Sequence, residues 1–186
     1  MPMNVPYPLK LRIEDFELLE RAGVFADLKK VELIEGTVVA MNAEYSPHTV
    51  VKNELMFRLR LALTAAGSPY SAFVEPTLAL PPHNLPQPDV VVACRPAERD
   101  YFRLNHCALV IEVADSTVAG DLGPKQTMYA ANGIPEYWVF DVVGGKVHQF
   151  WSPADGIYRE RRAVRIGAPL TSATVADLTI DSAGIL

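Results

Sequence analysis

The 186 residues carry 17 Lys and Arg against 22 Asp and Glu, a formal net charge of −5, with 49% hydrophobic and 21% charged side chains. That is the composition of an ordinary globular protein, and the length suits one domain spanning 1–186 with a substantial core. It excludes a bilayer span, since no apolar run approaches the roughly 20 residues required, and it argues against broad nucleic-acid binding, which needs a basic surface.

In chain order, the N-terminus MPMNVPYPLK lacks a basic region leading into an apolar run, so no signal peptide is expected. Residues 13–22 form an amphipathic helix ended by Gly23. Val31–Ile34 and Thr37–Met41 pair as a hairpin around Glu35-Gly36, where glycine tolerates the positive φ of a tight turn. Ser46-Pro47 opens the longest helix, with Ser as N-cap and Pro in the first turn. Its apolar stripe runs through 51, 55, 59 and 62, and Gly67 ends it. Strands follow at Tyr70–Glu75 and Thr77–Leu80, interrupted by Pro76, then a proline loop over 81–86. Asp89–Ala93 and Ala108–Ala114 are strands joined by the polar connection Arg95–Asn105. A helix spans 118–132 before Gly133, and Glu136–Val142 with Lys146–Trp151 form a second hairpin around Gly144-Gly145. Edge strands complete the chain. The fold class is α/β (α+β), a mixed sheet with two principal helices.

The chemistry concentrates between Cys107 and Lys125. A Val- and Ile-rich run of this length is a strand buried on both faces, and Glu112 interrupts it. A carboxylate there has to be paired, hydrogen-bonded or metal-bound. Asp89, opening the other apolar run, is the natural second acid, provided the two strands are neighbours; it also suits a strand start bonded to nearby backbone amides. Two hard oxygen ligands completed by water suit Mg²⁺ or Mn²⁺ better than zinc. Lys125 can orient a water and offset charge on a phosphate, or be a solvated helix lysine paired with Asp121. Glu32 and Glu35 compete as a third acid, on opposite faces by strand alternation. His48 sits in the first turn of the long helix, where a capping or surface role is its plainer reading.

His83, His106 and His148 have no metal-like spacing, and Cys94 and Cys107 are expected reduced and buried, which favours a cytoplasmic location. Trp138, Tyr129 and Tyr137 read as core. No GxxxxGK[ST], G-x-G-x-x-G or G-x-S-x-G pattern occurs, so no nucleotide cofactor or serine elbow is expected. A local basic cluster lies at Tyr158–Arg165.

The succession ELIEG, SPH at a helix start, QPDVVV, LVIEVADST and DLGPKQTMYAANGIPEYWVFD resembles the bacterial "putative restriction endonuclease" family, a branch of the PD-(D/E)XK nuclease superfamily. The likeness runs from about Ile13 to the last strands. It implies a restriction-endonuclease-like core with a mixed central sheet flanked by helices. The superfamily's proline-aspartate acid falls on Asp89 and the second acid on Glu112. The early glutamate falls on Glu32, more loosely on Glu35, and the helix-start histidine on His48. The usual lysine two residues after the second acid is replaced by Ala114, and the resemblance points instead to Lys125.

The resemblance implies a Mg²⁺-dependent endonuclease acting on DNA, and by analogy a homodimer. Asp89, Glu112 and the Val113 carbonyl would hold the ion, Lys125 would position a water, and Glu32 or His48 would assist through metal-bound water. Rival readings are a catalytically silent binding module on the same fold and a hydrolase of smaller phosphoesters.

Overall fold

The computed structural model describes residues 7–41, 46–96 and 100–186. Positions 1–6 of the N-terminal stretch and 97–99 of the polar connection lie outside the described residues, as do 42–45. Two compact units divide the chain, Met1–Ala43 with Ala79–Pro86, and Glu44–Leu78 with Gln87–Leu186.

In the first unit, α1 (Ile13–Arg21) buries Ile13 and Phe16, three positions apart and so on one helical face, and Phe16 stacks on Phe25 at 5.1 Å. Its start is fixed by Asp15, whose carboxylate accepts the Arg12 N–H at 2.9 Å, and its end by Gly23 at φ +76°. Strands β1 (Lys30–Ile34) and β2 (Thr37–Met41) pair antiparallel across Glu35 and Gly36. Both turn residues have positive φ, 51° and 77°, which matches the twist of the flanking strands. Gly36 is required twice over, because a Cβ there would meet the Lys10 Cβ at 2.6 Å. The proline loop is anchored to the hairpin: Leu33 and Leu85 exchange backbone hydrogen bonds, and Asn84 Oδ1 accepts the Glu35 N–H at 2.7 Å. The two-residue β4 (Leu78–Ala79) precedes that loop.

The second unit is built on a six-stranded sheet whose strands lie in the order 157–165, 146–154, 136–141, 107–114, 90–93 and 71–74. The strands are β3 (Ser71–Val74), β5 (Val90–Ala93), β7 (Cys107–Ala114), β8 (Glu136–Asp141), β9 (Lys146–Ala154) and β10 (Ile157–Arg165), the short β6 (Phe102–Arg103) lying before β7. All neighbours are antiparallel except β7 and β8. A parallel pair needs a long crossover, and the helical segment after Ala114 supplies it. Every residue of β5 and β7 is buried, as their continuous apolar runs require.

One sheet face carries the main core. Helix α2 (Ser46–Ala65) buries Val51, Leu55, Leu59 and Leu63, a strict four-residue step, against Val90, Val92, Leu109, Ile111, Trp138 and Phe140. Each such side chain contributes about 1.5–3 kcal/mol by leaving water. Strands β11 (Pro169–Thr171) and β12 (Thr179–Asp181) close this side through Leu170 and Ile180. Glu136, wholly buried, pins the same C-terminal segment, accepting from Trp138 Nε1, Ser172 Oγ, the Ala173 and Thr174 amides, and Thr174 Oγ1.

The expected helix over 118–132 is interrupted. It comprises α3 (Val118–Gly120), a π-helical turn Asp121–Lys125, and α4 (Gln126–Ala131), ended by Gly133 at φ +77°. The cause is Pro124, which has no N–H and whose ring would collide with the carbonyl four residues back in a regular helix; a wider turn accommodates it.

Candidate active site

The acid pair is assembled by strand register. β5 and β7 run antiparallel with Val90 opposite Ile111, so Asp89, one residue before β5, stands across from Glu112. Residues directly opposite share a face. Asp89 Oδ2 accepts the Val113 N–H at 2.7 Å, just beyond the end of the strand ladder. An extended residue turns its N–H and C=O to the same neighbouring strand, so Val113 presents its backbone edge to Asp89.

Glu112 is 3% exposed. Its Oε1 accepts from Lys125 Nζ and from the Tyr129 hydroxyl, both at 2.9 Å. Ala114, two residues further along β7, is buried, and the amine beside Glu112 comes from Lys125 on the π-helical turn. Asp121, on the same turn, lies 3.6 Å from Lys125 Nζ and accepts from Thr117 Oγ1 at 2.5 Å. Burial pushes the Asp121 carboxyl up, and the negative charge of Asp89 adds to the rise, against the opposing pull of Lys125 and Thr117. Tyr137 donates its hydroxyl to the Asp121 carbonyl at 3.0 Å. Burial, then the charges of Glu112 and Asp121, raise its ionisation well above the ordinary range, so it stays a neutral donor.

Around Asp89 a second set forms. His48 Nε2 in the first turn of α2 lies 3.2 Å from Asp89 Oδ2. Lys52, one helical turn further along and 4% exposed, reaches Glu75 at 2.9 Å and Asp89 Oδ1 at 3.9 Å. Glu75 is held at φ 47° between β3 and Pro76, its amide bonded to the Asp89 carbonyl at 3.1 Å.

The structure thus brings together Asp89, Glu112, Val113, Lys125 and His48. Glu32 is buried on β1 in the first unit, while Glu35 occupies the exposed turn and pairs with Lys10 at 3.2 Å. Sequence reasoning misses Lys52, Glu75 and the polar role of Tyr129. Lys52 follows His48 by four residues, and that spacing is the available signal. Tyr129 lies four residues after Lys125, on the same side of the helix, and carries a similar one.

Among the described residues, no three His, Cys, Asp or Glu side chains form a ready metal-binding cluster. The donor chemistry nevertheless fits a hard divalent cation. Asp89, Glu112 and Asp121 are buried and outnumber the Lys52 and Lys125 amines beside them by one, with the exposed Glu75 a further acid on Lys52. Mg²⁺ is commonly held by one or two carboxylates, with water and substrate phosphate supplying the remaining ligands.

A mixed six-stranded sheet flanked by helices, with an Asp and a Glu in register and a lysine on the Glu, makes this an α/β protein, and its fold is shared with a putative nuclease of known structure. The structure resembles the crystal structure of a putative nuclease belonging to DUF820 from Anabaena variabilis, with a TM-score of 0.63 at 16% identity over 87% of this chain and 94% of that one. The chain belongs to the Uma2 family, described as "Putative restriction endonuclease", whose profile matches residues 13–183. No curated protein matches it. No helix among the described residues is long and apolar enough to cross a membrane.

Proposed function

We propose that the protein is a metal-dependent endodeoxyribonuclease. The observation that carries the reading is Lys125 Nζ at 2.9 Å from Glu112 Oε1, on a carboxylate that stands across the sheet from Asp89. An amine and two acids at the end of neighbouring strands are the parts that phosphodiester hydrolysis needs, and family membership supports the same chemistry.

Asp89, Glu112 and the Val113 carbonyl would hold Mg²⁺ or Mn²⁺. The bound ion supplies Lewis acidity toward the scissile phosphate and the attacking water. Lys125 orients that water for in-line attack on phosphorus and shares the negative charge that develops as the P–O bond to the leaving sugar breaks. Tyr129, through its bond to Glu112, keeps the carboxylate from rotating. His48, 3.2 Å from Asp89 Oδ2, would orient that carboxylate and assist through metal-bound water. Every residue of this reading lies in the second unit. Opposite-strand cleavage by a cytoplasmic homodimer completes it, and sedimentation velocity tests the dimer.

The deciding experiment incubates supercoiled plasmid with the protein and Mn²⁺, beside Lys125→Met. Nicking or linearisation by the wild type, lost in the variant and in EDTA, supports the proposal. Mn²⁺ binding without cleavage of plasmid, single-stranded DNA or a phosphodiester dye favours the silent binding module. Cleavage of the dye alone favours the small phosphoester hydrolase.

A further inference from the structure

The basic cluster at Tyr158–Arg165 has no part in the acid site, and the sheet register shows where it points. Three cross-strand rows run from β7 to the edge strand β10. The middle row is Glu112, Val139, His148 and Ala163; the rows beside it are Val110, Tyr137, Phe150 and Arg161, and Ala114, Asp141, Lys146 and Arg165. Arg161, Lys146 and Arg165 therefore lie on the same face of the sheet as Glu112. Arg162 falls on the opposite face, bonded to Gln149 Oε1 and the Thr171 carbonyl and stacked over Trp151.

Lys146, Arg161 and Arg165 are exposed and make no ion pair among the described residues, whereas Arg159 is bound to Asp155 at 2.6 Å. The acid within these outer rows, Asp141, is occupied by the Gly144 amide at 2.7 Å and His148 at 3.9 Å. In a chain of net charge −5, three cations without an ion-pair partner among the described residues, gathered on one rim against the single acid Asp141 in their rows, are a local reversal of sign. Arg161 and Arg165 are about 13 Å apart along the strand, and β10 stands roughly 14 Å from β7 at about 4.8 Å per strand. Duplex DNA presents one charge per roughly 1.7 Å of axis, so such a span meets several phosphates. Tyr129 covers Tyr137 at 4.9 Å, so the middle of the face is occupied by the protein's own side chains and the rim is its open part.

We infer that Lys146, Arg161 and Arg165 on the β9–β10 edge form a docking strip for the phosphate backbone of duplex DNA, holding it on the sheet face that carries Glu112. The inference rests on the nuclease reading for its partner. Charged side chains also protect edge strands from pairing with other chains, and the test separates the two roles.

The affinity of the protein for a fluorescein-labelled 24-base-pair duplex is measured in EDTA by anisotropy across a salt series. The wild type is compared with Lys146→Gln/Arg161→Gln/Arg165→Gln and with Arg12→Gln/Arg21→Gln/Lys29→Gln, which makes the same net-charge change elsewhere. The strip variant is expected to keep the wild-type melting temperature and to lower the slope of log K against log salt by about 0.9 for each of three lost contacts. The control should change it little. An unchanged slope, equal losses in both variants, no duplex binding by the wild type, or self-association of the strip variant with DNA affinity intact would each overturn the inference. The plasmid assay reports on the nuclease reading separately: cleavage with an unchanged slope sinks only the strip, and a lowered slope without cleavage sinks only the nuclease.

Discussion

Replacing Glu112 by Gln separates a metal site from a structural ion pair. Glutamine keeps an oxygen for the Tyr129 hydroxyl and Lys125 Nζ, both at 2.9 Å in the wild type, and removes one negative charge. Breaking a buried ion pair by removing one partner typically lowers stability by about 3–5 kcal/mol, because the other charge is stranded. Here Lys125 retains Asp121 at 3.6 Å, and repulsion among an excess of carboxylates is relieved. The apo variant should therefore lie within about 1 kcal/mol of wild type. At this chain length 1 kcal/mol corresponds to roughly 2–4 °C in Tm. Mn²⁺ at a hundred times its Kd should stabilise the wild type by about 2.7 kcal/mol, roughly 5–11 °C, and Glu112→Gln not at all. Scanning calorimetry with and without Mn²⁺ reads both quantities. An apo variant melting 10 °C or more below wild type, with no response of the wild type to Mn²⁺, would show the pair to be structural and refute the reasoning. Equal Mn²⁺ shifts in both proteins would place the ion elsewhere.

Asp121→Asn should flatten the pH profile of stability. Because the folded-state pKa is raised above the ordinary 3.8, the folded protein binds more protons than the unfolded chain above that pH, and stability falls as pH rises through the folded value. The variant should gain on wild type across that window, and a Tm difference constant from pH 3 to 8 would contradict the burial argument. Gly36→Ala, at φ +77° with the Lys10 Cβ in the way, should lower stability by about 1–3 kcal/mol in thermal melts, while Gly120→Ala, in open space on a helix, should be neutral or stabilising. Cys107 is buried and its thiol is pushed up to about 12, so iodoacetamide at pH 8 should label the half-buried Cys94 and reach Cys107 only in urea. Equal labelling rates in native buffer would count against the burial of β7.

The local elements are largely legible in the sequence. The Glu35-Gly36 turn, the ends at Gly23, Gly67 and Gly133, and the apolar runs of β5 and β7 follow from preferences that act over a few residues. The helical stripe reads as 51, 55, 59 and 62, whereas Leu63 is the buried residue of the last turn and Ala62 is only partly buried. A stripe at the 3.6-residue period does not say which of two adjacent residues meets the sheet. Helical periodicity also gives no sign of the π-helical turn, although Pro124 is its cause.

For the candidate site, the sequence alone marks Glu112 as a buried acid needing partners and Asp89 as its counterpart, because a charge within a long apolar run is conspicuous wherever the chain goes. It does not decide who those partners are. Lys52 on a helix is indistinguishable from a solvated lysine until α2 is laid against Asp89 and Glu75. Glu136 carries as much buried charge as Glu112, yet its bonds go to Ser172 and Thr174, far along the chain. Only the sheet register sorts Arg161 and Arg165 onto the face of Glu112 and Arg162 onto the other. Propensities and hydrophobic period are properties of neighbouring residues. Partnership depends on which distant strands lie side by side, and a shift of one residue in that pairing would turn every side chain to the opposite face.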